Sequence, residues 1–117
     1  MRVEDRIRPV STDPAYYGIY FDGATPEQME YLAGMAVGER TAAPDGLELR
    51  EVPAAQYAVY PCTVGTIAEA FDHLFGEWLP RSPYAFATDR CHFEYYPPDT
   101  ESRDSPAVVY VPVRQKT

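Results

Sequence analysis

"TIAEAFDHLFGEWLP", residues 66–80, is the stretch that decides the fold. Ile67, Ala70, Phe71, Leu74, Trp78 and Leu79 recur at intervals of three and four, so a helix gathers them on one stripe. Glu69, Asp72, His73 and Glu77 take the other side. Thr66 with Glu69 has the S/T-x-x-E spacing of a capping box, and Pro80 is expected to stop the helix. Such a helix must bury its stripe against another element, and the rest of the chain offers strands.

"AYYGIYFDG" (15–23) is rich in Tyr and Ile and ends at Asp22-Gly23, a strand followed by a turn. "TPEQ" (25–28) suits a short helical turn with Thr25 as cap, and "YLAGMAVGE" (31–39) a strand of small residues. "LELREVPAAQYAVYP" (47–61) follows a Pro-Asp-Gly turn and reads as a broken strand, with Pro53 at a bulge or edge. "HFEYY" (92–96) and "AVVYVPVR" (107–114) are strands separated by a polar loop, and the final "QKT" reads as a solvated tail. Together these predict an α+β domain: a mostly antiparallel sheet with one main amphipathic helix on one face.

Period two sorts the last strands. Val109, Val111 and Val113 share one side and are the natural partners of the helix, while Tyr110 lies on the other. Phe93 and Tyr95 share a side opposite His92, Glu94 and Tyr96. If Phe93 and Tyr95 also meet the helix, Glu94 and Tyr110 both lie on the uncovered face. Tyr16 and Tyr20, with Tyr57 or Tyr60, join them depending on register.

Glu94, an acid among rings, then has two readings. Alternation makes it a solvated residue on an open face. Alternatively it is a carboxylate at the floor of an aromatic cleft, where rings offer cation–π attraction and the acid a full charge. Trp78 is either core or the wall of a pocket at the helix end.

Composition bounds the partners. A chain of 117 residues fits one domain. A formal charge of −8 argues against binding the phosphate backbone of nucleic acid, which needs clustered Lys and Arg. Ten Tyr, five Phe and one Trp leave much ring surface to be buried, paired or offered to a ligand. No apolar run reaches the roughly 20 residues of a membrane span, and the charged first ten residues do not resemble a signal peptide, so a cytoplasmic location is expected. Cys62 and Cys91 read as reduced structural cysteines. His73, His92 and Cys91 lack metal-ligand spacing, and phosphate-loop, dinucleotide and serine-nucleophile motifs are missing, so neither metal nor cofactor is expected.

The order "YYGIYFD", "GLELREVPAAQYAVYPCTVG", a helix ending "EWLPRSPY", "FEYY" with a polar loop, and "VVYVPVR" resembles the GyrI-like superfamily. That group includes the effector-binding domains of AraC-type and MerR-type transcription regulators. The resemblance runs from Tyr16 to Arg114. It implies a curved antiparallel sheet with helices on one side and a ligand cleft on the other. It also implies that Glu94 meets lipophilic cations among rings, with Tyr110 and Trp78 as matching positions and Tyr20 and Tyr96 as further ones. The expected division is a charged segment 1–14, a GyrI-like effector-binding domain 15–114 and a tail 115–117. The first strand and helix of the family's first repeat are expected to lack a counterpart in residues 1–14, so that a second copy covers the sheet left bare or residues 1–14 close it in part, with a homodimer the favoured outcome.

Three functions follow from the resemblance. The first is a stand-alone module binding a small organic, aromatic or cationic ligand, for drug sensing, sequestration or transcription regulation. The second is a hydrolase of cyclopropane-containing natural products, with Glu94 as base and Tyr110 as donor. The third is a protein inhibitor related to gyrase inhibitors.

Overall fold

The computed structural model describes residues 15–21, 30–37 and 50–116. The expected turns at 11–14, 22–23, 25–28 and 44–46, and the segment 1–14, lie outside these.

The expected α+β architecture is present. Strands β1 (Tyr16–Phe21), β2 (Glu30–Gly34), β3 (Gln56–Thr63), β4 (Tyr84–Phe86), β5 (His92–Tyr96) and β6 (Pro106–Gln115) form one curved, open antiparallel sheet. Its order is β2-β1-β5-β6-β3, with β4 also paired to β6. Val113 of β6 faces Gln56 on one edge and Phe86 on the other, so β4 continues the line of β5 along the long strand.

Two prolines are accommodated by position. Pro61 lies in β3, at the end of the strand order, where a missing N–H breaks no inner ladder. Pro112 lies inside β6, between the stretch paired to β5 and the stretch paired to β4. Its carbonyl accepts from the Ala87 N–H at 2.9 Å, so its missing donor points into that same gap between two short strands. The break expected near Pro53 falls before β3, which begins only at Gln56. Strand β4, three residues long, is too short to carry a period and was not expected.

The helical segment starts one turn earlier than Thr66. A 3-10 turn (Val64–Thr66) leads into α1 (Ile67–His73). Thr66 Oγ1 accepts the Thr63 N–H at 3.0 Å, so the reciprocal cap is built by Thr63 and Thr66. Thr66 makes no side-chain cap onto α1, so the expected Thr66–Glu69 box does not form. Pro80 does not stop the helix either. A π-helical turn (Leu74–Trp78), in which the Leu79 N–H bonds the Leu74 carbonyl, carries the chain into α2 (Leu79–Arg81). The wider turn absorbs the bond that Pro80 cannot donate. Ser82 then caps the Leu79 carbonyl through Oγ at 2.9 Å. Lys116 Nζ reaches the carbonyls of Leu79 and Pro80 at 3.4 and 3.3 Å, so this tail residue is exposed, as expected, and also caps the helix end.

Ala70, Leu74 and Leu79 pack on Val109, Val111 and Val113, as the two periods predict. Trp78 departs from the expected stripe. It is 36% exposed, and its ring stacks on Tyr84 at 6.0 Å. The helical segment lies chiefly over β3, β4 and β6, and Phe71 and Phe75 extend its cover to Tyr20 of β1 and His92 of β5.

Candidate functional site

Register decides where Glu94 points. Residues directly opposite in an antiparallel pair project to the same face. Glu94 lies opposite Gly18 of β1 and Val109 of β6. Val109 is fully buried in the core beneath the helix. Glu94 is therefore on the helix-bearing face, and the expectation that it shares the opposite face with Tyr110 is overturned. Phe93, not Glu94, pairs with Tyr110, and their rings stack at 4.5 Å on the far side of the sheet. Tyr57 meets both edge-on, and Tyr17 contacts Phe93 and Tyr95. Phe93 and Tyr95 find ring partners there, so they do not need the helix for burial. The acid and phenol required by the hydrolase reading do not come together.

The sheet outgrows the helix at β5, and there Glu94 is enclosed by tyrosines. It is 4% exposed. An ionised carboxylate at that depth is costly unless donors replace its water. Three phenols do so. Tyr96 donates to Oε1 at 2.7 Å and Tyr31 to the same oxygen at 2.9 Å, while Tyr20 donates to Oε2 at 3.2 Å. Hydrogen bonds to a charged acceptor are about twice as strong as neutral ones. Among the described residues no Lys, Arg or His pairs with Glu94; the ion pairs are His73–Glu77, Arg90–Asp89 and Arg114–Asp89.

Each phenol is positioned by its strand. Tyr96 lies two residues along β5 from the acid, on the same face. Tyr20 stacks flat on His92 at 4.5 Å and meets Phe71 of α1 edge-on at 6.0 Å. His92 is itself ringed by Phe71, Phe75 and Phe86, which ties the site to the helix. Tyr31, opposite Tyr20 in β2, has its ring centroid 4.8 Å from that of Tyr20.

Gly18 provides the space. A Cβ built there would fall 2.6 Å from Glu94 Oε1 and would collide with the Tyr31 hydroxyl, so both groups pass over the bare backbone. The missing side chain of β1 is the floor of the site.

Burial, reinforced by the Glu94 charge and its hydrogen bond, pushes the Tyr20 phenol up to about 12. Burial and then the bond to Glu94 raise Tyr31 and Tyr96 further. The three therefore stay protonated, and stay donors, at neutral pH. Burial also raises the Cys62 thiol, with the negative charge of Glu94 adding to it.

Of the five residues singled out from sequence, the structure thus joins Glu94, Tyr20 and Tyr96. Tyr110 lies on the opposite face, and Trp78 stacks on Tyr84 instead. Gly18, Tyr31 and His92 complete the cluster. Gly18 carried a signal, because a glycine inside an aromatic strand marks a close approach. Tyr31 had none beyond its residue type.

Among the described residues no helix is long and apolar enough to cross a membrane. The family model described as GyrI-like small molecule binding domain matches residues 2–114. No curated protein matches the chain.

Proposed function

Because the chain belongs to the family of GyrI-like small molecule binding domains, we propose that its ligand is a lipophilic organic cation received at Glu94. The observation that carries this reading is a buried carboxylate held by three phenols, with no cation partner among the described residues. The phenols fill three of the roughly four acceptor positions of the carboxylate, and no described residue neutralises its charge. In low-dielectric surroundings that charge is a strong attractor for a cation able to shed its own water. The rings of Tyr20, Tyr31 and Phe71 supply apolar and cation–π surface for the rest of such a molecule. A formal charge of −8 on the chain favours the approach of cations over anions. The biological setting that suits this binding is drug sensing, sequestration or control of a transcription regulator.

The test is a titration with a fluorescent rhodamine cation, comparing wild type with Glu94→Gln. Loss of a desolvated charge pair weakens binding by about 2 kcal/mol or more, roughly thirtyfold. An unchanged thermal midpoint shows that the variant is folded. Equal affinity in the two proteins, or no binding to either, refutes the reading.

A further inference from the structure

Three donors hold Glu94, but they are not equally fixed. Tyr96 makes the shortest bond, 2.7 Å, from the same strand. Tyr20 is clamped between His92 and Phe71. Tyr31 sits on β2, at the end of the strand order, and meets Tyr20 as its ring partner. It is 52% exposed although its hydroxyl reaches a carboxylate that is 4% exposed. Tyr31 is thus the most exposed of the three donors to the acid.

We propose that Tyr31 is a displaceable stopper that sets ligand class, so that the site prefers cations carrying an N–H donor, protonated amines, over quaternary ammonium ions. This inference rests on the cation reading above. Oε1 accepts two bonds, from Tyr31 and Tyr96. A ligand that swings Tyr31 aside removes one of them in a nearly dry site. A protonated amine restores it with its own N–H. A quaternary ammonium of the same shape brings equal charge and no donor, and leaves Oε1 one bond short.

The experiment uses two naphthylmethyl probes, one with a protonated dimethylamino head and one with a trimethylammonium head. Binding is followed by naphthalene fluorescence in wild type, Tyr31→Phe and Glu94→Gln. Wild type is expected to bind the protonated amine about tenfold tighter than its quaternary analogue, the worth of one hydrogen bond to a charged group. Tyr31→Phe keeps the ring but has no bond to break, so both probes should bind it about tenfold tighter or more, with the preference kept. Equal affinity of the two probes for wild type, a quaternary preference, or unchanged or weaker binding to Tyr31→Phe overturns the proposal. If Glu94→Gln weakens both probes in any of these cases, the cation reading stands and the stopper alone fails. If neither probe binds wild type, or both bind Glu94→Gln as well as wild type, the cation reading itself fails.

Discussion

Gly18→Ala is the sharpest test of the site, because two effects of opposite sign compete at one methyl group. Within a strand, alanine in place of glycine favours folding by about 0.5–1 kcal/mol through lost freedom of the unfolded chain. Nothing in the sequence opposes that gain. In the structure the new Cβ falls 2.6 Å from Glu94 Oε1 and 2.9 Å from Tyr31 Cζ, and collides with the Tyr31 hydroxyl. Backbone pairing on both sides of Gly18, to Ala33 and to Glu94, prevents the strand from retreating. Overpacking of this kind costs about 1–3 kcal/mol. Expelling the Tyr31 hydroxyl from a carboxylate adds about 1.5–3 kcal/mol. The penalty exceeds the entropic gain, and a net loss of about 3 kcal/mol is expected. Urea unfolding followed by far-ultraviolet circular dichroism measures it as a lower midpoint at constant slope. Tyr31→Ala removes two of the three close atoms, so the double variant should show a coupling of at least about 1 kcal/mol in a mutant cycle. A Gly18→Ala protein as stable as wild type, or more so, would refute the placement of the carboxylate over Gly18.

Val111→Ala removes two carbons from a fully buried position beneath the helix. A loss of about 2–3 kcal/mol in the same urea experiment is expected, and less than 1 kcal/mol would contradict the core described above. The phenols make a prediction at the alkaline end. Tyr20, Tyr31 and Tyr96 have raised pKa values in the fold, so the stability they contribute is complete below the ordinary phenol value of about 10. It is lost as pH rises through about 12 for Tyr20 and higher for the other two, because the unfolded chain releases those protons first. Tyrosinate absorbance should therefore show Tyr20, Tyr31 and Tyr96 lagging, with Tyr57, raised chiefly by burial, also delayed, and folding monitored in parallel. Titration of all ten together in the folded protein would contradict the enclosure of Glu94.

The fold was legible because each major element carries its own period. The helical stripe and the alternating valines of β6 specify each other as partners, and they meet in the core. The site was legible as residue types but not as a face. A period of two says which side chains share a face of one strand, but not how that strand aligns with its neighbour, and a slip of one residue inverts the result. Assigning Phe93 and Tyr95 to the helix was the reasonable choice from hydrophobicity. It failed because Tyr17, Tyr57 and Tyr110 give them partners on the far side of the sheet. Pro80 misled for a related reason: the lost hydrogen bond argues for termination, whereas the chain widens one turn and continues.

The register that puts Glu94 on the helix-bearing face also explains how one carboxylate can be dry and yet lie beside an exposed group. Along one face of the sheet, Val109 opposite Glu94 is fully buried, the acid is 4% exposed, and Tyr31, which reaches over from β2, is 52% exposed. The helix excludes water from the β6 side, so the field of the acid is little screened. On the β1 and β2 side its cover among the described residues is the phenols of Tyr20 and Tyr31, of which Tyr31 is the more exposed. An acid one strand further under the helix would be inaccessible, and one strand further out would be hydrated and weak. Glu94 stands where cover by the helix gives way to cover by tyrosines, and under the cation reading proposed above the ligand approaches the charge at that boundary, without the core having to open.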